Sequence, residues 1–163
     1  MTTSQPKVNF LEILKRPACF LGLGFGSGLA PFAPGTFGTV AALPIYWLIK
    51  NCSLAVYLSI IIMAFIVGIW ICQQSADWLG KDDPSAVVWD EIVGYLVTMI
   101  AAPSGWQWML AGFILFRFFD ILKPWPISWA DKKLHGGFGI MVDDVIAGLF
   151  ALIVLQGLYH YLS

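Results

Sequence analysis

Acidic residues punctuate the apolar runs of this chain at three places, and they set the chemistry to look for. Asp90 and Glu91 open the stretch Val87-Val-Trp-Asp-Glu-Ile-Val-Gly-Tyr-Leu96, Asp120 closes a run ending Phe118-Phe119, and Asp143 and Asp144 follow Met141-Val142. Desolvating an ionisable group in such surroundings is expensive, so these positions are functional-site hypotheses by default. Five carboxylates brought together repel one another unless a hard cation relieves them. Oxygen-only ligands select Mg²⁺, Mn²⁺ or Ca²⁺ over zinc, and Mg²⁺ is commonly held by a few carboxylates plus a substrate phosphate. Arg117 and Lys123 flank Asp120 and suit an anionic substrate. Acids, a divalent cation and a cationic pair beside lipid headgroups point to phosphoryl chemistry on a lipid.

Each acid also has a plainer reading. Carboxylates at helix N-termini cap backbone N–H groups and complement the dipole, and both acidic pairs open a segment that reads as helix. Adjacent residues point about 100° apart around a helix, so capping does not account for both members of a pair. Asp120 ends its segment, where the dipole disfavours it, but Arg117 at i−3 and Lys123 at i+3 offer simple salt bridges. Taken together on one face, the five favour a shared site. Asp90, Glu91, Asp120, Asp143 and Asp144 are then the metal ligands and the base, with Mg²⁺ expected and Mn²⁺ the alternative. Arg117, Lys123 and Thr36 are expected to hold the phosphate. Thr36, Thr39 and Ser27 lie among glycines whose amides suit phosphate oxygens, although Gly24, Gly26 and Gly28 equally suit close helix packing. His135 is a weaker acid–base candidate in a polar loop.

The elements that must position these groups are apolar. Of 163 residues 59% are hydrophobic and 12% charged, with a mean hydropathy of +0.79, against roughly a quarter charged in a soluble domain. The expected class is all-α integral membrane. It is a single domain, 1–163, built as a compact bundle of about five transmembrane helices. The spans are read at 36–49, 54–71, 86–102, 106–122 and 142–162. Thr36 is a candidate N-cap for the first, and Pro44 is a kink within it. Residues 8–16 read as an amphipathic helix on the membrane surface, making 1–17 an interfacial N-terminus. Residues 21–35 hold so much Gly and Pro that a re-entrant or interfacial loop is expected.

The net charge of −1 leaves no basic field and argues against nucleic acid as a partner. Cys19, Cys52 and Cys72 show neither a disulfide framework nor ligand spacing and read as buried thiols. Lys7, Lys15, Arg16, Lys81, Lys123, Lys132 and Lys133 fall in the N-terminus and the two longer loops, which the positive-inside rule places in the cytoplasm. Alternation of the spans puts the acids, Asp83 included, on that same face. The membrane and a phospholipid are the expected partners, and the many small residues leave homo-oligomerisation open.

Five blocks then carry a family resemblance. They are Gly24-Phe-Gly-Ser-Gly28, Ala33-Pro-Gly-Thr-Phe-Gly-Thr39, Val88-Trp-Asp-Glu-Ile-Val-Gly94, Arg117-Phe-Phe-Asp-Ile-Leu-Lys-Pro-Trp-Pro-Ile127 and Gly139-Ile-Met-Val-Asp-Asp-Val-Ile-Ala-Gly148. In this order they resemble the phosphatidylglycerophosphatase A family of bacterial membrane enzymes. The resemblance implies a Mg²⁺-dependent lipid phosphatase of the inner membrane that yields phosphatidylglycerol and phosphate.

Several other mechanisms lack their residues. No cysteine has an Arg six positions on, there is no Asp-x-Asp opening, and two unrelated histidines cannot supply a histidine-nucleophile site. Metal-activated water with a carboxylate base is the favoured route, and an aspartyl-phosphate is the alternative. Two rival functions fit the pattern less well. A cation transporter would line a path across the bilayer with acids, whereas these cluster at one end. A Mg²⁺-dependent lipid-phosphate transferase would carry a long Asp-Gly…Ala-Arg signature that is missing.

Overall fold

Ser53 starts the clearest helix by accepting a hydrogen bond from the Val56 amide at 3.4 Å. The run behind it, uncharged through Ala76, has nothing to break it until Gly80, which adopts a left-handed φ of 66°. The computed structural model describes residues 10–162 and, over them, contains helices and no strand. In chain order the helices are α1 (Phe10–Leu14), α2 (Pro17–Gly22), a 3-10 segment (Gly24–Leu29), α3 (Pro34–Ile49), α4 (Leu54–Leu79), α5 (Trp89–Thr98), α6 (Trp106–Leu122), α7 (Ile127–Lys133) and α8 (Gly136–Leu162).

Two of them, α4 with 26 residues and α8 with 27, are long and apolar enough to cross a membrane. Only 22% of the apolar window of α4 is buried, and Ile62, Met63, Ile66 and Trp70 point outward. A core helix of a soluble protein would hide such a surface; this one suits lipid. The other expected spans are helical but shorter. At 16 and 17 residues α3 and α6 rise about 24–26 Å, and α5 at ten rises about 15 Å, against a hydrocarbon core of about 30 Å.

α5 differs most from the expected segment 86–102. Ala101 takes a left-handed φ of 51°, and Pro103 disfavours helix at the residue before it. The resulting half-length helix is walled in, with every residue from Ile92 to Thr98 buried. Side chains from its neighbours and its own aromatics pin it. The Tyr57 hydroxyl donates to Leu96 O at 2.8 Å, Trp89 Nε1 to Ala64 O at 3.1 Å, and the Tyr95 hydroxyl to Met109 O at 3.0 Å. Against α8 the backbones themselves touch. A Cβ on Gly148 would lie 2.5 Å from Gly94 O, and one on Gly94 would lie 2.8 Å from Asp144 O.

The Gly-rich stretch is not a regular span, as expected, but folds into short turns that pack on the bundle. Ile13, Cys19, Leu23 and Ala86 form its small core. A Cβ on Gly28 would meet Ala86 O at 2.0 Å, and the Val88 amide donates to Gly22 O at 2.8 Å. Close packing is therefore what Gly28 does. Two local expectations are corrected, and a third is met in part. Thr36 does not cap α3, because Ala33 turns left-handed and Pro34 starts the helix two residues earlier. Cys19 and Cys72 are buried, but Cys52 is exposed. Of the proposed surface helix 8–16, α1 covers Phe10–Leu14; residues 8 and 9, like the rest of 1–9, lie outside the described residues.

Candidate active site

Every acid expected from the sequence lines one cavity of about 280 Å³, together with Arg117 and Lys123. The N-terminal end of α3, the first turn of α5, the C-terminal turn of α6 and the third turn of α8 meet there. Asp90 and Glu91 lie in the first turn of α5, yet no side chain caps that helix. Asp143 and Asp144 lie two turns inside α8, because the helix begins at Gly136 rather than at Val142. Helix capping thus accounts for neither pair.

The acids fall into two groups. Asp120 pairs with Arg117 one turn back on α6. Asp143 Oδ2 accepts from Lys123 Nζ at 2.7 Å, and the same ammonium bonds Asp131 on α7. Lys123 was expected beside Asp120, but its left-handed backbone (φ 43°) ends α6 and turns it toward α7 and α8. Burial works against the Lys123 ammonium, and its contacts with Asp131 and Asp143 outweigh that, holding its proton more tightly than an ordinary lysine.

Among the described residues, the second group forms no salt bridge. One oxygen each from Asp90, Glu91 and Asp144 lie within 4.8 Å of one another. Asp90 Oδ1, Glu91 Oε2 and Asp144 Oδ2 are buried without any hydrogen-bond partner, as is Asp143 Oδ1. Buried carboxylate oxygens left unpaired cost several kcal/mol unless a positive charge completes them. Octahedral oxygen ligands about 2.1 Å from a Mg²⁺ stand roughly 3–4 Å apart, within the observed spread. The donor set is all carboxylate, which suits Mg²⁺, Mn²⁺ or Ca²⁺. The residues present fit a hard divalent cation.

Gly35 makes the convergence possible. A Cβ there would lie 2.3 Å from Glu91 Oε1 and 2.9 Å from Arg117 Nη1. Thr36, its neighbour, does not line the cavity, and Thr39 is turned inward, donating to Gly35 O at 2.8 Å. His135 lines a smaller neighbouring hollow with Asp82, Asp83 and Asp131. The sequence alone marks neither Asp83 nor Asp131 as part of the site. Asp83 lies in a polar loop, and Asp131 is eight residues from Lys123, a spacing that marks nothing without the turn between α6 and α7.

Residues 20–159 match the family model described as phosphatidylglycerophosphatase A. The chain belongs to the phosphatidylglycerophosphatase A family. A protein of that name from Escherichia coli (strain K12) is 40% identical over 149 residues, spanning 91% of this chain and 87% of its own. One from Haemophilus influenzae is 42% identical over 166 residues, with 99% of each covered. A third relative, from Bacteroides thetaiotaomicron, is 38% identical over 153 residues, 87% of this chain and 95% of its own. It carries the provisional name phosphatidylinositol-3-phosphatase. No solved structure matches the chain. Phosphatidylglycerophosphatase A membership spans the whole acid cavity, since α3, α5, α6 and the acidic turn of α8 lie within residues 20–159.

Proposed function

We propose that this chain is a lipid phosphatase that hydrolyses the terminal phosphomonoester of phosphatidylglycerophosphate to phosphatidylglycerol and phosphate. The observation that carries the reading is the unpaired trio of Asp90, Glu91 and Asp144, facing the same cavity as Arg117 and Lys123, in a chain of this family.

In this reading Asp90, Glu91 and Asp144 hold Mg²⁺, with Asp120 and Asp143 beside them. When bound, the ion supplies Lewis-acid activation of water and neutralises phosphate charge. Arg117 binds phosphate oxygens, and its buried Nε still has a hydrogen to donate. Lys123, anchored between two aspartates, presents a fixed positive charge at the cavity wall. Thr36 is kept only as a residue bordering the phosphate end, next to Gly35. We assign proton acceptance from the attacking water to Asp143 Oδ1, which has no partner while Oδ2 is held by Lys123. Asp120 keeps Arg117 aimed, which makes it a positioning residue.

The bundle is read as multi-pass in the bacterial inner membrane, with α3, α4, α5 with its flanks, α6 and α8 as its five crossings and the acid cavity facing the cytoplasm. Support comes from the outward apolar faces of α3, α4 and α6, where Trp47, Leu48, Ile66, Ile114 and Phe118 are exposed, and from the basic residues near the cavity end. The acids gather at one end, which disfavours a cation path running the length of the bundle.

The test is phosphate release from phosphatidylglycerophosphate by the purified protein in detergent, with Mg²⁺ and with chelator. Release with Mg²⁺ and none with chelator is expected. Absence of release under both conditions overturns the activity, and full turnover in chelator overturns the metal.

A further inference from the structure

A second cavity, of about 330 Å³, adjoins the acid site and shares Ala33, Pro34 and Ser85 with its wall. Its size is at the lower end of small-molecule sites, which begin at roughly 300 Å³. Its chemistry differs from that of its neighbour. Leu29, Phe32 and Leu79 supply apolar wall, none of the acid-site carboxylates reaches it, and its one charged residue is Lys81.

The backbone of Lys81 is fixed by the end of α4. Its amide donates to Ala76 O at 3.2 Å while the Gly80 amide donates to Asp77 O at 3.2 Å, the paired bonds of a Schellman turn. The Lys81 ammonium makes no salt bridge among the described residues. Nearby Asp77 is already engaged by Gln73 Nε2 at 2.8 Å. The rim carries Phe32, which is 68% exposed and packs edge-on against Phe37. The Lys81 side chain is exposed and also borders an open hollow with Asp77, Asp82 and Asp83. A cation on a fixed backbone, a cavity and an apolar lip thus stand beside the acid cluster.

The proposed substrate has two phosphates. Its terminal monoester belongs in the acid cavity, and its phosphodiester lies one glycerol away, toward the acyl chains. We propose that the adjoining cavity is the subsite for this phosphodiester, with Lys81 as its counter-charge and Phe32 bordering the acyl side. The subsite rests on the phosphatase reading and deepens it: Lys81 discriminates lipids carrying a diester phosphate behind the monoester from those, such as phosphatidic acid, that carry the monoester alone.

The experiment compares wild type with Lys81→Ala and Lys81→Arg in full-length protein in mixed micelles. It measures kcat/KM for phosphatidylglycerophosphate and, in the same assay, the inhibition constant of phosphatidic acid as a competitor. Lys81→Ala is expected to lower kcat/KM about tenfold, the scale of one partly solvated charged hydrogen bond, and to leave phosphatidic acid inhibition within about twofold. Lys81→Arg is expected to recover most of the loss. Equal weakening of both lipids, or no loss in Lys81→Ala, overturns the subsite while the phosphatase reading stands. A wild-type protein that releases no phosphate overturns both.

Discussion

At the scale of single residues, the division of the acids into an unpaired trio and two cation-held partners has a measurable consequence. Asp90→Asn, Glu91→Gln and Asp144→Asn each alter a buried carboxylate that carries an oxygen with no protein partner, the oxygens proposed to hold the ion. We expect kcat to fall about a hundredfold or more and the Mg²⁺ concentration for half-maximal rate to rise. Asp120→Asn and Asp143→Asn remove groups already neutralised by Arg117 and Lys123, so they should lower kcat with little change in metal demand. An Mg²⁺ requirement that moves alike in all five variants contradicts the division. The membership of the cluster was legible in the sequence, because an acid in an apolar run has few other reasons to be there. The partition was not. It depends on the backbone at Lys123, whose left-handed turn sends the side chain to Asp131 and Asp143 instead of Asp120. Gly35 was equally opaque, since only the folded chain shows Glu91 and Arg117 closing on it.

At the scale of elements, the acid cluster depends on how closely α5 meets α8. Gly148 abuts Gly94 O, so an added methyl meets backbone that has no rotamer to change. Gly148→Ala should cost about 1–3 kcal/mol, read as a lower thermal unfolding midpoint in detergent. Gly157→Ala on the same helix meets nothing within 4 Å and should be neutral or slightly stabilising. Equal behaviour of the two variants removes the close crossing from the account. Helix existence was readable from apolar runs. Helix length was less so. Ile92 to Thr98 is apolar enough for a span, but burial on all sides produces the same composition in a half-length helix.

At the scale of the molecule, orientation can be read with the native cysteines. Cys52 is exposed at the end opposite the acid cavity, whereas Cys19 and Cys72 are buried. In intact cells, a membrane-impermeant thiol reagent should label Cys52 from outside. The double variant Cys52→Ser with His135→Cys should label only after the inner membrane is opened. Outside labelling at position 135 inverts the arrangement. The basic loops made this orientation an inference from sequence alone, but they do not reveal that Lys81 borders the cavity adjoining the acid site.

α4 is 26 residues long, which is about 39 Å of helix. A hydrocarbon core of about 30 Å accommodates roughly 20 residues. On the proposed orientation the surplus emerges on the catalytic side, where the sequence turns polar at Gln73, Gln74 and Asp77, and it lifts Lys81 into the layer of lipid phosphates. On that reading the protein would meet its proposed substrate at the depth where the headgroup already resides, with no lipid pulled from its leaflet. Turnover becomes a gauge of fit between helix and leaflet. Reconstituted into phosphatidylcholine vesicles of increasing acyl length, the protein should work best near a matched thickness and lose rate on both sides of it.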